Sequence, residues 1–222
     1  MKDLAKPLTN RERIAQILRK GIYSGTFHPG QELVQNTIAT QLGVSRMPVR
    51  EAIYILLKEG LVEHIPNRGF FVKNITRAFF EDYFFIRTLF EQKAVSYICK
   101  TLEDSSVLQE FLVGEQNAYE RQDVPALSQY TNRLQNYIGS HCGSPRLSTY
   151  LQQLWDMSPR RISADSGQQV LFIDSTFQYH QSLVKAILKN EEETACRLIA
   201  NHLELSKTHY FSIRDELHLD EE

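Results

Sequence analysis

Residues 35–72, QNTIATQLGVSRMPVREAIYILLKEGLVEHIPNRGFFV, decide the fold of the N-terminal part of the chain. Apolar side chains at helical spacing predict a helix over residues 37–42, and this helix ends at Gly43, which can adopt positive φ. A second helix is predicted after Ser45, because serine is a favoured N-cap and Pro48 falls in the first turn, where its missing N–H costs little. These two helices and the tight turn between them predict a helix-turn-helix.

Three arginines supply the positive charge that contact with duplex DNA requires. Arg46 and Arg50 are four residues apart and share one helix face, from which they can reach both phosphates and base edges. Arg68 stands beside Gly69 in a turn between two short strands. The strands are predicted over residues 61–65 and 70–72. The segment as a whole therefore predicts a winged helix-turn-helix with a small β wing.

Residues that characterise a known protein family recur throughout residues 7–73. They are Ile22, Gly25, Pro29, Gly30, Leu33, Ile38, Ala39, residues 42–46 and 48–52, Leu56, residues 59–62, Pro66 and residues 68–72. Together they resemble the DNA-binding domain of the GntR family of bacterial transcription regulators. The resemblance implies that Arg46 and Arg50 enter the major groove and that the wing follows the adjacent minor groove. The predicted DNA-binding residues are Ser45, Arg46, Pro48, Arg50, Arg68 and Gly69.

Charge is divided unevenly along the chain, although the net charge is only −2. Residues 1–73 hold eleven Lys/Arg and six Asp/Glu, which leaves fourteen Lys/Arg and twenty-one Asp/Glu for the remainder. A basic N-terminal part and an acidic C-terminal part favour a protein that touches DNA with one end only.

The sequence carries the features of a cytoplasmic protein. No apolar run approaches the length of a membrane span, and the N-terminus lacks the hydrophobic core of a signal peptide. Cys99, Cys142 and Cys196 are scattered without a CxxC pair, which predicts reduced thiols rather than a disulfide framework. We therefore expect no membrane partner.

From residue 74 onward the pattern is that of long helices, so the predicted fold class is mainly α, with an all-helical C-terminal bundle over residues 77–215. Helices are predicted over residues 77–101, 102–121, 125–140, 146–157, 170–188 and 191–213, with a polar loop or helix start over 158–167 and a frayed tail over 220–222. Aromatic residues crowd the first of these helices, at positions 79, 80, 83, 84, 85 and 90. Because this run is wider than one buried face, part of it is expected to meet another domain or a second subunit.

Three stretches of this helical part carry a second resemblance. They are residues 87–94, residues 134–147, and residues 180–187 followed by Ala195 and His202. They resemble the FCD domain, the all-helical effector-binding domain of the FadR-like branch of the GntR family. The resemblance implies that the helical domain binds a small effector molecule and forms a dimer.

Many FCD domains bind a divalent metal through an Asp, a His four residues later, and two further His residues. This chain has Thr131 and Gln135 at the first two places and keeps His180 and His202 at the others. Two imidazoles are half a site for Zn²⁺ or Ni²⁺, which prefer at least three protein ligands. The two histidines can line an effector pocket, can be hydrogen-bonded interior residues without a ligand, or can join unidentified ligands in a complete metal site.

Arg87 is a further candidate for effector binding. In FCD domains an arginine at this place can pair with a carboxylate effector in bidentate geometry. The alternative is an intrachain pair with Glu91, four residues later. The predicted effector-binding residues are Arg87, Thr131, Gln135, His180 and His202, and a small, anionic metabolite held without a tightly bound metal is expected.

These features predict a sequence-specific DNA-binding transcription regulator, a homodimer on a near-palindromic operator, whose DNA affinity is controlled by the metabolite. An effector-independent DNA-binding protein is the alternative, followed by an enzyme with a helical catalytic domain. The sequence contains no HExxH, CxxC, GxGxxG or nucleophile-elbow pattern, so no catalytic residues are assigned. Repression and activation are both compatible with the sequence.

Overall fold

The computed structural model describes residues 9–158 and 169–216, and contacts divide the chain into two compact units, the first ending at Thr76 and the second beginning at Arg77. The elements of the first unit are α1 (Asn10–Tyr23), α2 (Gln35–Leu42), α3 (Arg46–Lys58), β1 (Val62–Ile65) and β2 (Gly69–Val72). Those of the second are α4 (Arg77–Thr101), α5 (Ser106–Glu120), α6 (Val124–His141), α7 (Pro145–Asp156), α8 (Gln169–Leu188) and α9 (Glu192–Glu216). The loop predicted over residues 158–167, apart from Ser158, and the tail predicted over 220–222 lie outside the described residues.

The helix-turn-helix forms where the sequence predicts it. Gly43 has φ 63° and ψ 34°, and its N–H caps the end of α2, so the turn uses the left-handed conformation that glycine allows. The first helix begins at Gln35, two residues before its predicted start. Ser45 stands at the N-cap of α3 with an extended backbone, but among the described residues its side chain accepts no cap hydrogen bond. The predicted N-cap position of Ser45 is therefore confirmed, although its hydroxyl does not cap the helix by a hydrogen bond.

A helix that the sequence analysis did not assign, α1, completes the core of the first unit by packing on α3. Ile14 and Leu18 are buried on its inner face. Arg19 of the same helix forms two hydrogen bonds with Glu59, from Nε to Oε2 at 2.9 Å and from Nη2 to Oε1 at 2.6 Å. This forked contact fixes α1 against the C-terminal end of α3.

The wing is an antiparallel hairpin in which Val62 pairs with Val72 and Ile65 pairs with Gly69. Residues 30–33 extend it on the far side of β2, where the Leu33 N–H donates to Phe70 O at 2.8 Å and the Val72 N–H donates to Gln31 O at 2.9 Å. This additional edge anchors the wing to the segment that leads into α2.

In the described part of the second unit every element is a helix, so the mainly α fold with a small β wing is confirmed. The helix α4 packs on α9, α6 and α7, while α8 packs on α5, α6 and α9. Side chains that are almost fully buried form the core between them: Phe80, Ile98, Leu108, Leu151, Leu183, Ile187, Ile199 and Leu203. The predicted start of α5 at residue 102 is four residues too early, because residues 102–105 do not form helix.

Two chemical features of the chain follow from these elements. Within the described residues, Cys99 and Cys142 are buried free thiols and Cys196 is a partly exposed one. Burial raises the pKa of the Cys99 thiol to about 11, which disfavours the reactive thiolate. None of the helices in residues 9–158 and 169–216 combines the length and the hydrophobicity that a bilayer crossing requires.

Candidate functional site

The helix α3 separates its charged and apolar side chains onto opposite faces. Val49, Ala52, Ile53 and Leu56 are buried on the inner face. Arg46 and Arg50 are exposed on the outer face, next to the N-terminus of the helix, with Ser45 exposed before them and Pro48 half-buried between them. The two guanidinium groups therefore stand on an accessible, convex surface of the kind that fits a major groove.

Two exposed side chains that the sequence analysis did not single out share this outer face. Met47 is 61% exposed and Tyr54 is 40% exposed, both unusual for large apolar residues. The Arg50 guanidinium lies 5.7 Å from the centre of the Tyr54 ring, within the range of a cation–π contact. Met47 lies three residues before Arg50 and Tyr54 lies four residues after it. This helical spacing was the signal in the sequence that could have identified both residues.

The wing presents its cation at the tip of the hairpin. Arg68 is exposed, and its guanidinium lies 5.5 Å from the centre of the Phe71 ring. Gly69 has φ 119°, and a Cβ at this position would come within 2.9 Å of Glu32 Oε1. Glycine is therefore required for the turn to form without displacing the Glu32 side chain.

In the helical unit Arg87 belongs to a buried hydrogen-bonded network. Its Nε donates to Glu91 Oε1 at 2.5 Å and its Nη1 donates to the Tyr83 hydroxyl at 3.3 Å. The same Glu91 oxygen accepts from Trp155 Nε1 at 2.7 Å. Burial alone lowers the pKa of the Arg87 guanidinium, but Glu91 and Tyr83 raise it above its usual value. Of the two alternatives for Arg87, the structure contains the intrachain pair with Glu91.

His180 is held by an acid that the sequence analysis missed. Its Nδ1 lies 2.6 Å from Glu115 Oε1, and Gln181 Nε2 donates to Glu115 Oε2 at 3.1 Å. All three side chains are buried. Glu115 lies on the buried face of α5 in line with Leu108 and Phe111. A glutamate at a core position of an amphipathic helix was the sequence signal for a buried partner.

A cavity of about 540 Å³ lies between α8 and α9. It is lined by Ser175, Gln178, Tyr179, Ser182, Leu198, Asn201, His202, Leu205, Ser206 and His209. His202, which is buried, stacks on the Tyr179 ring with 3.8 Å between the ring centres and an angle of 4° between the planes. Of the predicted effector-binding residues, His202 is among these lining residues, whereas Arg87, Thr131, Gln135 and His180 are not.

The described residues do not provide a metal centre of the kind that the family resemblance implies. Among them no group of three or more His, Cys, Asp or Glu side chains is placed to hold an ion. Thr131 and Gln135 are half-buried, and the Thr131 hydroxyl donates to Leu127 O at 3.5 Å, within its own helix. His180 is engaged through Nδ1 with Glu115. These residues do not fit a divalent metal, because a stable site needs a third or fourth protein ligand.

Two protein-family models match the chain. "Bacterial regulatory proteins, gntR family" matches residues 10–72, and "FCD domain" matches residues 82–205. The first match contains the helix-turn-helix and the wing. The second covers more than half of the chain and contains the Arg87 network, the Glu115–His180 pair and most of the residues that line the cavity.

Individual relatives agree with these matches. The chain is 29% identical over 184 residues to the HTH-type transcriptional regulator McbR of Escherichia coli, covering 81% of this chain and 82% of that protein. It is 32% identical over 104 residues to the uncharacterised HTH-type transcriptional regulator YdhC of Bacillus subtilis, covering 47% of this chain and 46% of that protein. The chain spans less than half the length of this relative and of two others, from Streptomyces ambofaciens and Aminobacter aminovorans.

Solved structures have the same fold. The structure of E. coli McbR matches with a TM-score of 0.68 at 22% identity, covering 92% of this chain and 98% of that chain. A structure described as a GntR transcriptional regulator from Rhodococcus sp. RHA1 matches with a TM-score of 0.61 at 27% identity, covering 92% of this chain and 99% of that chain.

Proposed function

The chain belongs to the GntR family of bacterial regulatory proteins and carries an FCD domain, and from this premise we propose that it is a sequence-specific, ligand-responsive regulator that binds duplex DNA. The observation that carries the proposal is the outer face of α3, where Arg46 and Arg50 are exposed opposite a fully buried apolar face. Arg68 in the wing adds a third exposed cation. This arrangement serves DNA rather than catalysis, and an enzymatic role is not proposed.

Each cation has a distinct task in this proposal. Arg46 and Arg50 read base edges in the major groove, where a bidentate guanidinium contact to guanine discriminates between base pairs. Arg68 neutralises phosphate charge next to the minor groove, which adds affinity without sequence information. Because phosphate contacts release counterions, affinity for any duplex should fall as the salt concentration rises.

Selection of bound duplexes from a random pool tests the proposed function. We expect one enriched sequence with two related half-sites, bound about 10³-fold or more tightly than unrelated duplex at the same salt concentration. Retention of all duplexes with equal affinity would contradict sequence-specific binding. Turnover of a substrate by the helical unit would instead support the enzyme alternative.

Ligand control forms the second part of the proposal. A cavity between α8 and α9 in the FCD unit supports a ligand-responsive regulator over an effector-independent DNA-binding protein. If a ligand alters DNA affinity by some factor, DNA must alter ligand affinity by the same factor. The Arg87 guanidinium, which was the expected partner of a carboxylate effector, is already paired with Glu91. We propose a response that needs no metal, in a protein that acts in the cytoplasm.

A homodimer is also part of the proposal. One winged helix-turn-helix reads only a few base pairs, so two copies related by a two-fold axis are needed to specify a site in a genome. On α4, Phe85 is 63% exposed, Leu89 is 48% exposed and Ile86 is 40% exposed. These three neighbouring apolar side chains offer a surface for the second copy, and Phe85 is the exposed member of the aromatic run on α4.

Replacing Leu89 with glutamate is expected to shift the protein from dimer to monomer at micromolar concentration, because a carboxylate would be buried at the contact without a partner. Light scattering measures the mass. Val113→Glu is the matched control, since Val113 is 64% exposed on α5 and lies outside this surface. A wild-type protein that is monomeric both free and on DNA would overturn the dimer, and a Leu89→Glu variant that remains dimeric would exclude this surface.

A further inference from the structure

We propose that the cavity between α8 and α9 is a binding site for an uncharged small molecule with an apolar body and a few hydrogen-bonding groups. This inference rests on the proposed ligand response and specifies the class of ligand. The sequence predicts an effector site among Arg87, Gln135 and His180. The inference places the site on the lining residues of α8 and α9 instead.

The size of the cavity suits a metabolite. Its volume of about 540 Å³ falls within the range of roughly 300–1,000 Å³ that small-molecule sites occupy. The stacked rings of Tyr179 and His202 form one wall, and Leu198 and Leu205 contribute apolar surface from α9. Flat aromatic and aliphatic walls favour a ligand with an apolar body, because contact with them removes hydrocarbon from water.

The described lining of the cavity favours an uncharged ligand over an ion. Among the described residues that line the cavity, none is Lys, Arg, Asp or Glu. Its polar groups are the hydroxyls of Ser175, Ser182 and Ser206, the amides of Gln178 and Asn201, the Tyr179 phenol and the imidazoles of His202 and His209. Neutral hydrogen-bonding groups can satisfy hydroxyl or carbonyl oxygens of a ligand. A carboxylate would give up part of its hydration without gaining a permanent cation from these residues, which is unfavourable.

The site predicted from the sequence is engaged in holding the fold together. Arg87 donates to Glu91 and Tyr83, and His180 is paired with Glu115. An anion that recruited these two cation candidates would have to displace two buried carboxylates. The α8–α9 cavity, in contrast, retains His202, the one predicted effector residue on its wall.

Titration with two probes that share one ring system tests the proposed class of ligand. 2-Naphthol is uncharged near neutral pH, whereas 2-naphthoate carries a carboxylate on the same naphthalene. Calorimetry on the full-length protein without DNA should show saturable binding of 2-naphthol, about tenfold or more tighter than that of 2-naphthoate. Equal or tighter binding of the carboxylate, or no saturable binding of either probe, would overturn the inference.

A matched pair of variants locates the binding. Asn201 is exposed on α9 and lines the cavity, so Asn201→Trp should fill the cavity and weaken 2-naphthol binding about tenfold or more. Asn136 is exposed on α6 outside the lining, so Asn136→Trp should leave the affinity unchanged. Equal affinities of the two variants would exclude the cavity. If the wild-type protein does not bind 2-naphthol and Asn201→Trp changes the oligomeric state, the cavity is an interface between copies of the chain.

A further measurement distinguishes a failure of this inference from a failure of the proposed function. The affinity for the selected duplex is measured with and without saturating 2-naphthol. Binding that is lost in Asn201→Trp but leaves DNA affinity unchanged supports the site and contradicts its coupling to DNA. Specific DNA binding without 2-naphthol binding supports the DNA-binding function and overturns the cavity site.

Discussion

Replacing Glu91 with alanine should destabilise the helical unit by about 3–5 kcal/mol, the usual cost of leaving a buried charge without its partner. The substitution removes the carboxylate that accepts from both Arg87 Nε and Trp155 Nε1. Both donors lie in the interior, where Arg87 is only 3% exposed, so neither regains water without disturbing the packing. A loss of this size is a large fraction of the total stability of a typical domain, about 5–15 kcal/mol.

Denaturant unfolding followed by tryptophan fluorescence measures this loss, because Trp155 is the single tryptophan of the sequence and lies in the helical unit. Glu81→Ala is the matched control, since Glu81 pairs with Arg77 at the same spacing of four residues but is about half exposed. An exposed pair of this kind contributes about 0–1 kcal/mol. If both variants unfold at the same denaturant concentration, the Arg87–Glu91–Trp155 network does not stabilise the fold.

The second large effect is expected at the DNA surface. Arg46→Ala and Arg50→Ala should each weaken binding to the selected duplex by about 1–3 kcal/mol, because each removes a base contact in the major groove. Binding to unrelated duplex should change much less. Arg68→Ala should weaken binding to both duplexes by a similar factor and reduce the dependence on salt, because its contact is with phosphate.

Fluorescence anisotropy with labelled duplexes at one fixed salt concentration separates these outcomes. Lys58→Ala is the control, since Lys58 is an exposed cation on the last turn of the same helix, remote from the recognition end. Unchanged affinity of Arg46→Ala and Arg50→Ala for the selected duplex would show that α3 does not enter the groove. Equal losses on both duplexes would assign the two arginines to phosphates.

Much of the first unit could be predicted from the sequence because its signals are local. A left-handed glycine at position 43, the three- and four-residue spacing on α3 and the turn at Gly69 each follow from neighbouring residues. The same spacing also predicted that Arg46 and Arg50 share one face of α3, where both are exposed. They did not reveal the contact of residues 30–33 with β2, because that pairing joins segments about forty residues apart.

In the second unit the sequence by itself determined the helices and their approximate ends, and only the tertiary structure decided which side chains meet. Local periodicity identifies a buried helix face but not the partner that packs against it. Glu115 and His180 are 65 positions apart and Glu91 and Trp155 are 64 apart, yet each pair shares a hydrogen bond. The α8–α9 cavity likewise follows from the packing of two helices. Buried charges need partners in three dimensions, and the folded chain selects them.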